Sequence, residues 1–324
     1  VPAPFISFFE QYLFVPFVLH YIYYTINVYS MPIRNITNTF ITAFILLPLV
    51  AGAAVSRSTL KREIARKRIS ISAVSRGGYC GECLNVRLGN TTNDTIFTTI
   101  DPGLIFNPAD KELQPLIVWG GDKILLLPHH DTNIALNTFC GNLDAHCPSE
   151  NIKYTFSRQA DSNLVKTLKY TRERKLPADL TQRAVWYFTN HTNINLIYSS
   201  VNMEQTDILG KYVASLTNVP IPKYYKYIPQ VQQAGQPLLN KKEEKIIVPV
   251  KWKQGDYKQM YVTIYKANGD VYKRIEGGQI IDKYGVSCPV TFRRGGDLNG
   301  QYKVVAADNT KKVWYEQEVI VDFD

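Results

Sequence analysis

Leu84-Asn85-Val86-Arg87-Leu88-Gly89-Asn90 and, a few residues on, Thr95-Ile96-Phe97-Thr98-Thr99-Ile100-Asp101-Pro102-Gly103 decide how this chain is read. Apolar and polar residues alternate with the period of a half-buried strand, and each run stops at a Gly-Asn or Asp-Pro-Gly turn. The pattern continues through Leu104-Ile105-Phe106, Leu116-Ile117-Val118-Trp119, Lys123-Ile124-Leu125-Leu126-Leu127 and Ile134 to Phe139. Gly120-Gly121-Asp122 between two of these runs predicts a hairpin. Short strands at this spacing predict a β-sandwich of immunoglobulin type over residues 76–217, without the Cys, Trp, Cys spacing of antibody domains.

The period changes after Pro148. Leu164, Val165 and Leu168 have helical spacing within Ser162 to Tyr170, as do Leu180, Ala184, Val185 and Phe188 within Asp179 to Asn190. Asp179 or Thr181 is a candidate cap for the second helix and Asn190 its stop, and a further helix is expected around Glu204 to Ser215. The sandwich is therefore expected to carry a helical insertion at about residues 160–215.

Residues 218–243, with Pro220, Pro222, the Gln-rich Gln230 to Gln236 and Pro237, keep no period and read as a linker. Beyond them, at 244–324, strand candidates include Ile246 to Val250, Met260 to Tyr265, Val271 to Ile275, Val290 to Phe292, Tyr302 to Ala306 and Val313 to Val321. Asn268-Gly269 and Asn299-Gly300 are hairpin signals. Val262-Thr263-Ile264-Tyr265-Lys266-Ala267-Asn268-Gly269-Asp270, followed by Gly300-Gln301-Tyr302-Lys303-Val304, resembles the small immunoglobulin-like modules near the ends of exported bacterial proteins. The expected fold class is mainly β, with two immunoglobulin-like β-sandwich domains.

Upstream, residues 1–30 are an aromatic, apolar extension containing Glu10, Pro16 and His20. Met31-Pro32-Ile33-Arg34, the apolar run Phe40 to Val50 and Ala51-Gly52-Ala53-Ala54 follow the order of a secretory signal peptide over 31–54, with translation expected to start at Met31. Residues 55–75 form a basic segment. Its Arg57, Lys61, Arg62, Arg66, Lys67 and Arg68 support the competing reading of an uncleaved membrane anchor by the positive-inside rule. The run is short for a span and contains Pro48, so a secreted or cell-surface location is the first expectation.

A formal charge of +9 is spread along the chain outside the basic segment, with no zinc-finger or RNA-binding signature, so no nucleic-acid partner is expected. Tyr-rich strands suit a protein or cell-surface partner. No G-x-S-x-G, H-E-x-x-H, Walker or dinucleotide fingerprint occurs, and the chain is expected not to be an enzyme. Asn90-Thr91-Thr92, Asn93-Asp94-Thr95 and Asn190-His191-Thr192 are sequons with meaning only in a eukaryotic secretory host.

Cysteine carries the remaining chemistry. Cys140 and Cys147 flank a Gly-Asn-containing loop and are candidates for a disulfide, as are Cys80 and Cys83. Cys80-Gly81-Glu82-Cys83 also has zinc-knuckle spacing, with Cys140, His146 and Cys147 as the further candidate ligands; no cofactor is otherwise expected. His129-His130-Asp131 follows a strand and reads as a solvated turn, because neighbouring residues on a strand diverge.

Thr181-Gln182-Arg183-Ala184-Val185-Trp186 resembles the Thr-Gln-X-Ala-(Ile/Val)-Trp motif of the thioester domains of bacterial surface adhesins. The resemblance implies that a Gln side chain is joined to a Cys thiol, one preceded by an aromatic residue, giving an acyl group that a host nucleophile captures. Cys140 after Phe139 and Cys80 after Tyr79 both meet that condition, with Gln182 as the acyl donor. A thiolate is a good leaving group, so such a bond is open to an amine when water is kept away. Three functions are thus expected in turn: an exported non-enzymatic protein of attachment or envelope assembly; a covalent adhesin using Cys140 and Gln182; and a metal-dependent or redox enzyme using the cysteine cluster.

Overall fold

The computed structural model describes residues 58–230, 239–250, 258–281 and 288–323. The extension, the signal-peptide reading and Arg57 of the basic segment lie outside the described residues. Among the described residues no helix is long and apolar enough to cross a membrane.

Six strands close into a barrel in the order β2 (Ile69–Arg76), β3 (Cys80–Asn90), β8 (Asp131–Cys140), β6 (Leu116–Val118), β5 (Leu104–Pro108) and β9 (Glu150–Gln159), with β9 pairing back onto β2. This corrects the expected first sandwich. The strands were foreseeable from their alternation, but closure depends on Ala73 of β2 meeting Tyr154 of β9, a long-range pairing that no local pattern encodes. Inward residues such as Leu84, Val86, Leu88, Leu104, Phe106, Leu116 and Tyr154 fill the interior.

A second, mixed sheet orders β1 (Ser58–Thr59), β4 (Ile96–Thr99) and β7 (Lys123–Leu126). The hairpin expected across Gly120-Gly121-Asp122 does not form, since β6 pairs with β5 and β8 while β7 pairs with β4. Close packing explains this. Gly120 has φ +73, and a Cβ there would lie 2.4 Å from Pro102 N, so the chain slips past the Asp101-Pro102 turn and changes sheet. The basic segment folds as α1 (Leu60–Ala65) leading into β2, with Arg66 and Arg68 paired to the buried Glu63.

The insertion comprises α2 (Ser162–Glu173), α3 (Ala178–Thr189), a short 3-10 turn at Ile194–Leu196 and α4 (Met203–Thr217). Asp161 caps α2 through the Asn163 and Leu164 amides, whereas α3 starts after Pro177 with no side-chain cap; Asp179 and Thr181 lie inside it. Asn190 ends α3 as expected. Leu180 and Ala184, one turn apart, pack on Leu209 and Val213 of α4.

Within the expected linker, Tyr225–Tyr227 forms β10, which pairs with β11 (Lys245–Val250) and through it with β14 (Cys288–Arg293), while its Gln-rich part at 231–238 lies outside the described residues. Facing this sheet is a second, ordered β13 (Val271–Ile281), β12 (Lys258–Lys266), β15 (Gly300–Asp308) and β16 (Val313–Val321). Ile246, Val248, Val290 and Phe292 of one sheet meet Val262, Ile264, Val304 and Val319 of the other in one core. The Asn268-Gly269 signal makes the β12 to β13 hairpin, with Gly269 at φ +89 and Lys266 N bonded to Asp270 O at 2.8 Å. Asn299-Gly300 does not, because β14 and β15 lie in different sheets.

Candidate functional site

Every residue from Leu180 to Trp186 is buried, so α3 is enclosed on all sides, unlike a surface helix with one apolar stripe. Its side chains go to separate places. Leu180 and Ala184 face α4, Val185 packs with Phe139, Leu164 and Leu168 outside the barrel, and Trp186 enters the barrel core beside Cys83, Cys140 and Cys147. Thr181 closes the first turn by donating its hydroxyl to Pro177 O.

Gln182 points at the end of β8. Its Nε2 donates to Cys140 O at 2.8 Å, and its Oε1 accepts from Cys140 N at 2.9 Å. The same Cys140 N–H is shared with Tyr79 O at 3.0 Å. The carboxamide thus completes the ladder where β3 runs out, standing in for a peptide group of a neighbouring strand. Gln182 and Cys140 are both fully shielded from solvent, at 0% exposure.

Around this clamp lie four cysteines that the sequence singles out, all free thiols. A bulge between Glu82 and Leu84 turns Cys83 and Leu84 both into the barrel. Burial pushes the Cys83 thiol up to about 12. Cys80 is half-buried, opposite Phe139 in register, and packs at the seam between barrel and helices. Burial raises the Cys140 thiol well above an ordinary thiol and its neighbour Cys147 adds to this, while the Cys140 neighbour and the Gly78 amide lower Cys147. The structure therefore brings Cys140 and Cys147 together without a bridge, and Cys80 and Cys83 are unbridged as well.

Among the described residues, no group of three or more His, Cys, Asp or Glu side chains is arranged to hold a metal. The zinc candidates Cys80, Cys83, Cys140, His146 and Cys147 thus lack a converging ligand set. His129 and His130 sit on an exposed turn, bonded to Asn93 Oδ1 and Pro128 O at 2.7 Å each.

Arg183, overlooked in the sequence, is buried beside the clamp. Its guanidinium donates to Ile228 O at 2.9 Å and lies 5.1 Å from the Tyr227 ring. Burial lowers its pKa. Among the described residues, Arg183 Nε and Trp186 Nε1 have no hydrogen-bond partner. The one available signal was an Arg within an otherwise apolar helical run. Gly78 and Tyr79, which contribute an N–H and a carbonyl, could not be found from residue type, since they act through the backbone.

Fold and site together define a mainly β chain in which a closed barrel is capped by helices, one of them clamped to a barrel cysteine, and followed by a two-sheet sandwich. No protein-family model matches the sequence, and no curated protein matches it.

Proposed function

We propose that this is an exported, non-enzymatic surface protein that works in attachment, and that it attaches covalently through an internal thioester between Cys140 and Gln182. One observation carries the reading: the Gln182 carboxamide is held by both backbone groups of Cys140, with both residues fully shielded from solvent. The amide is thereby tethered to the backbone of the residue whose thiol must attack it, and holding two reacting groups together in this way lowers the entropic part of the barrier. The Cys140 N–H on Oε1 is also placed to stabilise the oxyanion that forms as sulfur adds. The balance is simple. Thiol and carboxamide give thioester and ammonia; a later amine gives an amide and frees the Cys140 thiol. Cys80 supports the reading less well, because the clamp is made to Cys140 and reaches Cys80 only through the carbonyl of Tyr79.

The sequence supports the cellular setting: a signal-peptide pattern at 31–54 and a Thr-Gln-X-Ala-Val-Trp motif of the kind found in surface adhesins. The partner on this reading is a protein or cell surface that offers an amine.

Intact mass tests the chemistry. Wild type is expected about 17 Da below the sequence mass, and methylamine is expected to add at Gln182 in peptide maps. Cys140→Ala should abolish both and Cys80→Ala neither. An undiminished wild-type mass, or a deficit that survives Cys140→Ala, rules the reading out.

A further inference from the structure

Resting on that reading, we infer that Arg183 is a positioning residue for the thioester: by anchoring α3 to the end of β10 it fixes Gln182 against Cys140. A buried cation stands there that folding alone does not require. Arg183 is 4% exposed, its Nη2 donates to Ile228 O at 2.9 Å, and its guanidinium carbon lies 5.1 Å from the centre of the Tyr227 ring. Among the described residues, its Nε has no hydrogen-bond partner. A desolvated guanidinium held by a main-chain carbonyl and a ring is a poor source of stability, since an apolar side chain of the same length fills such a place at less cost. What it supplies is direction.

Direction matters because the apolar contacts of α3 lack it. Leu180 and Ala184 on α4, and Val185 on Phe139, are held by burial, which has no preferred orientation. Gln182 reaches Cys140 through a flexible side chain, so its clamp alone leaves the helix free to rock over the end of β8. Successive residues of a helix point about 100° apart. The Arg183 bond therefore acts in a second direction, toward β10, and the two residues together set the rotation of α3 about its axis. Thioester closure must bring the amide carbon onto sulfur, and a misplacement of about 1 Å can cost about 100-fold in rate.

The far end of the anchor is itself held. β10 pairs with β11 from Tyr225 opposite Ile247 to Tyr227 opposite Lys245. Tyr225 Oη donates to Asp207 Oδ1 of α4 at 2.9 Å, and the Tyr198 ring lies 5.4 Å from that of Tyr225 and 5.7 Å from that of Tyr227. Tyr198, Tyr225 and Ile247 form one buried cluster between the helical insertion and this sheet. Ile228 O and the Tyr227 ring are thus fixed points against which Arg183 can brace the helix.

Full-length protein made by cell-free synthesis, sampled over time by intact mass, reads the rate at which the deficit of about 17 Da accumulates. Arg183→Met keeps the stem and loses the donor, and should slow accumulation by about 10- to 100-fold. Arg183→Lys, which retains a cation able to donate to Ile228 O, should recover part of the rate. Tyr227→Leu takes away the ring without touching α3 and should slow accumulation as well; it decides the matter where Arg183→Met does not fold by near-UV circular dichroism. Ile264→Ala, in the core of the facing sheet, should lose more stability in thermal melts than Arg183→Met yet accumulate the deficit at the wild-type rate. A merely structural Arg183 would instead make rate follow stability. Wild-type accumulation in folded Arg183→Met, or in Tyr227→Leu where Arg183→Met is unfolded, overturns the inference while leaving the thioester intact. So does a rate that falls in step with melting temperature across the variants. No deficit in wild type removes the thioester reading itself.

Discussion

The barrel with its helices and the C-terminal sandwich are built from the same kind of alternating strand, yet they treat polar groups differently. In the sandwich, facing sheets close on Val248, Val262, Ile264, Phe292, Val304 and Val319, and the buried carboxylates there, Glu244 and Asp308, are each paired or hydrogen-bonded. In the barrel, Cys83, Cys140 and Cys147 share the interior with Trp186, and Gln182 and Arg183 are buried alongside. Burying a carboxamide, a guanidinium and several thiols costs stability unless each is partnered. The sandwich shows that such a chain can fold without them. The barrel gathers them at the junction of α3 with the end of β8.

The sharpest way to break that contrast is to strike each core in turn. Cys140→Ala should remove the mass deficit and all amine capture while leaving the sandwich unaffected. Phe292→Ala, deep in the sandwich, should cost about 3–5 kcal/mol by leaving a cavity, yet leave the deficit in place. Thermal melts read beside intact mass check both, and a deficit lost in Phe292→Ala would show that the two regions are not chemically separate. Trp186→Ala should match Phe292→Ala in stability, about 3–5 kcal/mol, and also lose the deficit, because Trp186 fixes α3 against the barrel core. Next in size is Gln182→Ala. It leaves the Cys140 carbonyl without the Gln182 donor while Cys140 N keeps Tyr79 O, so a denaturant midpoint should register a loss of about 1–3 kcal/mol. A neutral result there would mean that the clamp is incidental.

Much of the sandwich and helices was legible because local pattern fixes them. Asn268-Gly269 announced its hairpin, and Leu180, Ala184 and Val185 announced α3. The barrel was legible only as strands: nothing near Ala73 indicates that Tyr154 will close the sheet, and nothing in Gly120-Gly121 distinguishes a hairpin from a crossing between sheets. Tyr225–Tyr227, read as part of a linker, was missed as a strand for a related reason, since it becomes one only by pairing with β11. At the site, Gln182 and Cys140 were readable from residue type and motif. The part of Tyr79 was not, because it is a backbone contact made across the barrel end.

Titration should separate the two regions by the smallest effect. In the barrel, Cys83 is raised from its ordinary 9.0 to about 12, so the folded chain holds a proton that the unfolded chain releases. Its contribution is complete below pH 9 and is lost as pH rises from 9 toward 12. In the sandwich, Asp308 carries the opposite sign, beside Tyr315, which burial pushes up to about 12. Asp308 accepts from the Thr310 hydroxyl at 2.6 Å, Trp314 Nε1 at 2.9 Å and the Lys312 amide at 3.1 Å, and these bonds hold its carboxyl well below the ordinary 3.8. Its contribution is present above that value and fades as pH falls beneath it. Denaturant unfolding followed by Trp186 fluorescence in a chain lacking the other tryptophans should therefore weaken first on the alkaline side, and the Trp314 signal first on the acid side. Asp308→Asn, which keeps the shape and cannot ionise, should flatten only the acid limb. An unchanged acid limb in that variant would place the sandwich's acid sensitivity elsewhere.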